Sequence, residues 1–256
     1  MGRTVSMRTR RTVLAPVLAA TACLGLAHAA APFEGKMRLE GTMLRAGRTQ
    51  QFGMDYYVKQ SKIRVDVKAP APGGAAGYLL GDLTTKKFHL VMPAQRMAMA
   101  LPTPAAGAQT PAQGKAPELT RTGKTTTVAF TRAGTLLSLV KAGQAPAGDV
   151  TNYTAEEWTA KTDADVTELW VVKDLGGASG LDMAMGLSGG QGPAWTRAKL
   201  PGFPYRIITR SGNSTSELWL TQIDTKPLAD AFFRIPGGFQ VMQMPMMPGM
   251  PAMPRR

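Results

Sequence analysis

Apolar and polar residues alternate along long parts of this chain. In "FEGKMRLEGTM" (33–43), Phe33, Gly35, Met37, Leu39, Gly41 and Met43 share one parity, and Glu34, Lys36, Arg38 and Glu40 the other. A period of two sends successive side chains to opposite faces, so the stretch predicts a strand with one wet face. The same rule gives Phe52, Met54, Tyr56 and Val58 in "QFGMDYYVK", and Ile63, Val65 and Val67 in "SKIRVDVK". "GYLLGD" and "KKFHLVM" read as a hairpin turning at "DLTT", and "RMAMAL" as a sixth strand. Strands resume with "NYTAEEWTAKT" and "TELWVVKDL". "YRIITRSG" and "STSELWLTQID" form a hairpin turning at "RSGN".

Other stretches break the pattern. Residues 102–115 are Pro, Ala, Gly and Gln without core-forming order, and "APAGD" is a second loop. "AGTLLSLVKA" (133–142) is read as a short helix, residues 180–187 as another, and "KPLADAFFRIP" as one helical turn before a final extended piece. The predicted fold is mainly β (α+β): a strongly curved antiparallel sheet of eight to eleven strands, an incomplete β-barrel with one or two short helices on its concave side. Three divisions follow: a leader over 1–29, one β-rich domain over 30–241 with flexible loops near 102–122 and 176–200, and a disordered Met/Pro-rich tail over 242–256.

The leader changes the expected compartment. Arg3, Arg8, Arg10 and Arg11 precede the apolar "TVLAPVLAATA", and "AHA" supplies small residues for cleavage after Ala29. A periplasmic, exported protein is expected; the alternative is a lipoprotein anchored at Cys23, although Ala20 stands where lipidation sites usually carry Leu. No later run is long and apolar enough for a spanning helix. Cleavage would leave no cysteine, hence no disulfide, thiolate ligand or cysteine nucleophile. The formal charge is +13, and +9 without the four leader arginines. That balance suits an anionic envelope partner. Nucleic acid is not expected, and a monomer is.

Catalytic signals are weak. His89 is the one histidine after the leader and alternates with Phe88 and Leu90, which directs it to solvent. No carboxylate set has metal-ligand spacing, so no cofactor is expected. "GLSGG" matches the nucleophile-elbow pattern around Ser188 without the strand before it or helix after it. Glu156 and Glu157 are adjacent on a strand, point apart, and cannot share a site; one of them is expected to turn inward toward Arg64 or Arg206. Trp158, Trp170, Trp195 and Trp219 are aromatic anchors for a core or a cavity mouth.

"NYTAEEWTAK", "TELWVVKDLG", "GFPYRIITRSG" and "PLADAFFRIPGGFQVM", in that order, resemble the bacterial exported family of domain of unknown function 4412. "FEGKMRLEGTM" and "YYVKQSKIRVDV" fit the same pattern, so the resemblance covers most of 33–242. It implies an outline similar to the lipoprotein carriers LolA and LolB, an incomplete barrel closed by helices around an apolar cavity. It implies no substrate. Candidates for the concave face are Met37, Leu39, Phe52, Tyr56, Ile63, Val65, Leu80, Phe88, Leu90 and Leu169. The same alternation serves a dry core or a cavity for a lipid or lipoprotein acyl chain. A non-enzymatic binding protein is the expected class, and an envelope scaffold acting through its basic surface the alternative. The tail "VMQMPMMPGMPAMPRR" offers Met242, Met244, Met246 and Met247 as soft thioether ligands for Cu(I); a plain flexible terminus or a pliable apolar patch are the other readings.

Overall fold

A computed structural model describes residues 33–45, 47–68, 77–101, 117–177, 181, 195 and 199–243. Thirteen strands are found among them: β1 (Gly35–Arg45), β2 (Arg48–Lys59), β3 (Lys62–Lys68), β4 (Tyr78–Asp82), β5 (Lys87–Met92), β6 (Met97–Leu101), β7 (Glu118–Ala133), β8 (Leu136–Leu139), β9 (Val150–Lys161), β10 (Asp165–Val172), β11 (Phe203–Ser211), β12 (Ser214–Asp224) and β13 (Gln240–Gln243). They form one sheet in the order β11-β10-β9-β7-β8-β12-β1-β2-β3-β4-β5-β6-β13, closed on itself by pairing of β11 with β12. Every pairing is antiparallel except β13 with β6.

The closure has a physical cause in β12. One edge of β12 carries β1 along most of its length. The other edge is shared: Ser214–Trp219 pair with β11, and Gln222–Asp224 pair with β8. A register shift between Arg38 and Leu39 leaves Thr221 as the extra residue of a bulge where the partners change. Bulges sharpen twist, which lets one strand serve two diverging sheets. The result is a six-strand ring, β12-β11-β10-β9-β7-β8, with β1–β6 and β13 continuing from it.

Local chemistry explains the turns. Asp82 Oδ1 accepts from the backbone N–H of Thr84 and Thr85 at 2.9 and 3.0 Å and closes the β4–β5 hairpin. Gly212 turns β11 into β12 with φ of 51°, a value that favours glycine. Two inward glycines have a different role. An added Cβ on Gly41 would lie 2.5 Å from the Phe52 ring and 2.7 Å from the Glu217 carbonyl oxygen, and one on Gly81 would lie 2.6 Å from the Phe88 ring. Each glycine lets the cross-strand aromatic ring lie flat over the backbone.

Several expectations are corrected. "AGTLLSLVKA" forms no helix: Gly134, at φ 66°, turns β7 into β8, and Leu137 packs beside Ile223. Four residues between a turn and a loop satisfied both periods, and ladder partners on β7 and β12 settle the conformation. This strand and β7, neither of which alternation predicts, raise the count to thirteen, above eight to eleven. The loop expected near 102–122 ends earlier, because β7 starts at Glu118. Its run "ELTRTGKTTT" is mostly exposed and lacks apolar alternation, but pairs along β9. Met242 and Gln243, assigned to a disordered tail, belong to β13. Leu181 is α-helical, within the helix expected at 180–187; the other described helical pieces are short 3-10 turns, and that at Asp230–Phe233 lies on the outer face of the sheet instead of the concave side. The turn Lys173–Leu175 does reach the inner core, through Leu175. The leader and residues 244–256 lie outside the described residues, as does most of the helix expected at 180–187.

Candidate ligand-binding face

Register places the candidate residues. Residues directly opposite each other on paired strands share a face. One row runs Leu137–Ile223–Met37–Tyr56–Val65–Leu79–Leu90–Met99–Met242 across nine strands. A second runs Trp158–Leu169–Ile207–Leu218–Gly41–Phe52. A third joins Ile63, Gly81, Phe88 and Leu101. Nine of the ten candidates therefore share the inner face: Met37, Leu39, Phe52, Tyr56, Ile63, Val65, Phe88, Leu90 and Leu169. Met37, Leu39, Ile63, Val65 and Leu169 are fully buried, and Tyr56 nearly so. Phe52 and Phe88 are partly buried against the same core.

Leu80 is the exception. It pairs with Arg64 and His89 on the outer face and joins a second, smaller core of Tyr78, Val91 and Ala98 under Ile235 and Phe239. The run "YLLGD" is apolar at three successive positions, so alternation could not assign its parity. The segment following β12 covers this patch. Lys59 Nζ binds Asp230 at 2.9 Å and donates to the Leu228 carbonyl at 2.8 Å. The Arg64 guanidinium lies 3.7 Å from the Tyr78 ring centre and 4.2 Å from that of Phe232, and Asp66 holds it at 2.7 Å. Arg64 therefore pairs with neither Glu156 nor Glu157, and Arg206 pairs with Glu217. His89 is half-buried on this outer face instead of pointing freely to solvent; burial, then the charge of Lys87, pushes its pKa down.

Trp195 and Leu181 complete the inner core. Both are buried among the inner-face residues, Trp195 at 1% exposure, although each comes from a glycine-rich stretch with no periodic signal. Among the described residues the indole N–H of Trp195 has no hydrogen-bond partner. An unsatisfied buried donor is costly, and its acceptor is often a ligand or water. A tryptophan outside any pattern was the available sequence signal for this site.

Charge is arranged around the face. The Glu156 carboxylate accepts from Lys173 at 2.8 Å and Arg121 at 3.0 Å. Lys173 first, with the charge of Arg121, holds its pKa below the usual 4.5. A carboxylate with a lowered folded pKa contributes stability above its unfolded pKa and loses it as pH falls through the folded value. Wild type is therefore expected to lose stability below pH 4.5, and Glu156→Gln should flatten that limb of a melting-temperature profile; an unchanged acid limb would refute the assignment. Glu157 binds Lys124 at 3.3 Å.

Among the described residues no group of three or more His, Cys, Asp or Glu could hold a metal ion, and no helix is long and apolar enough to cross a membrane. Ser188, Met244, Met246 and Met247 lie outside the described residues.

Comparison with known proteins agrees with the resemblance read from the sequence. Residues 139–239 match the profile of domain of unknown function 4412. No curated protein matches the chain. Among solved structures, that of PNGF-II is similar at a TM-score of 0.43 and 11% identity, over 82% of this chain and 31% of that one, so this chain spans about a third of its length. An uncharacterized conserved protein from Thermus thermophilus is similar at 0.43 and 11%, over 82% and 91%. A LolA superfamily protein from Nitrosomonas europaea is similar at 0.37 and 9%, over 79% and 90%.

Proposed function

We propose that this is an exported, non-enzymatic binding protein that takes an apolar or amphiphilic molecule, such as an acyl chain, on the inner face of β5, β6 and β13. The observation behind this reading is a gradient along one row. Met37, Val65 and Leu79 are fully buried, Leu90 and Met99 are partly buried, and Met242 is 49% exposed. The inner side chains of β1 to β4 are buried in one core with those of the ring strands. The last strands of the sheet extend past that mutual cover and offer apolar side chains to solvent. Such surface lowers its free energy by about 25 cal/mol per Å² when covered by a hydrocarbon. The unpartnered Trp195 N–H supplies a donor for a polar head on the core side.

Calorimetric titration of the full-length protein with saturated fatty acids of eight to sixteen carbons tests this. Affinity should rise with chain length. Met99→Lys should weaken binding at least ~10-fold, because a charge would be desolvated beneath the chain. Gln50→Lys, on an exposed part of β2, should leave binding intact. Absence of saturable binding, or equal affinity in Met99→Lys, would overturn the reading.

A further inference from the structure

The inner face of β5, β6 and β13 is unusual in carrying methionine where a partly exposed strand ordinarily carries β-branched or polar residues. Met92 on β5 pairs with Met97 on β6, and Met99 on β6 pairs with Met242 on β13. Met97 and Met99 are two apart and so share a face. Met92, Met97 and Met99 are partly exposed and Met242 exposed. Four thioethers thus stand on one side of three adjacent strands. Irregular core gaps explain methionine in an interior. They do not explain it here, where solvent reaches every one of the four.

We propose that Met97, Met99 and Met242, with Met92 as a fourth donor, form a binding site for a soft monovalent d10 cation, Cu(I) or Ag(I). Paired side chains on neighbouring strands start about 5 Å apart and i, i+2 neighbours about 7 Å apart. Methionine has three rotatable bonds in its chain, so sulfurs from that triangle reach one point without movement of the backbone. Thioethers are soft, neutral ligands that suit Cu(I). Zn²⁺ prefers thiolate, imidazole or carboxylate, and Mg²⁺ and Ca²⁺ require oxygen. The rows around the four hold Leu90, Leu101 and Gln240, and none is an ionisable ligand. His89 is excluded because it alternates with Leu90 and faces outward. The site therefore selects for softness, and its affinity owes nothing to deprotonation. β13 contributes an essential donor, which gives its four-residue parallel pairing a role beyond covering the edge of β6.

The experiment is anaerobic titration of the full-length protein with Cu(I) against a chromophoric Cu(I) chelator. One equivalent should bind in competition with the chelator, with the same affinity at pH 5 and pH 8, and Zn²⁺ should not displace it. The triple variant Met97→Leu/Met99→Leu/Met242→Leu should weaken binding at least ~100-fold. Leucine for methionine conserves volume and is well tolerated, and fatty-acid binding should survive, which separates this site from the apolar one. The single change Met99→Leu, at the centre of the set, should shift affinity in the same direction and serves if the triple variant folds poorly. Met244→Leu/Met246→Leu/Met247→Leu should change affinity less than ~10-fold. Wild-type affinity in the strand variants, loss confined to the tail variant, a fall in affinity at pH 5, or failure to compete with the chelator would each overturn the proposal.

Discussion

Replacing Trp195 with alanine should cost about 3–5 kcal/mol of stability, the range for truncating a buried large aromatic. Trp195 is 1% exposed and among the largest fully buried side chains of the inner core. Its removal leaves a void among close-packed neighbours that relax only in part. Trp195→Phe should behave differently. Phenylalanine is smaller, which destabilises. It also removes the buried indole N–H that has no partner among the described residues, a group whose isolation costs about 1–3 kcal/mol. The two effects oppose, and the net change should lie within about 1 kcal/mol of wild type. Urea unfolding of the three proteins measures this; equal losses for alanine and phenylalanine would mean that the N–H is satisfied. The same pair separates stability from binding. If the N–H meets a ligand's polar head, Trp195→Phe should lower fatty-acid affinity while leaving a long-chain hydrocarbon probe unaffected.

Arg64→Ala should cost about 2–3 kcal/mol, from two cation–π contacts and a charge-assisted pair with Asp66. The guanidinium touches Tyr78 on the sheet and Phe232 in the segment laid over it. Phe232 in turn stacks edge-on against Tyr57 at 4.7 Å. Losing Arg64 therefore loosens the whole C-terminal segment more than the sheet beneath. Arg64→Lys should recover less than half, because an ammonium cannot stack flat between two rings or bind Asp66 in two-pronged fashion. Amide exchange at Gln240–Gln243 should accelerate in both variants, since β13 reaches β6 only through this segment. Cu(I) affinity should fall with it, because Met242 leaves Met99. Unchanged exchange at β13 would show that the strand is held by its own four-residue pairing.

The difference between β1 and β8 shows what a sequence can carry here. β1 lies in eleven residues of strict alternation, 33–43, long enough to exclude a helix and to assign each side chain its face. β8 has four residues, and "LLSL" fits both periods. Only the ladder partners on β7 and β12 choose between them. The exposed Thr-rich start of β7 fails the pattern for the same reason: nothing apolar marks it, and pairing with β9 makes it a strand. Leu80 went to the wrong face because three consecutive apolar residues carry no parity.

Nine of the ten inner-face candidates followed from alternation, since burial on one side of a sheet is a local constraint that each strand states for itself. Closure is not local. Thr221 is marked by nothing in "LWLTQID", yet the bulge there lets β12 hand one edge to β11 and β8 in turn. Trp195 is marked by its residue type alone, and only the fold sets it in the inner core. The methionines divide the same way. The sequence showed a methionine-rich end and put Met242 at its start. Strand pairing alone set Met242 beside Met99 and left Met92 and Met97 on the same face, because parallel addition of the last strand to β6 joins residues more than 140 positions apart in the chain.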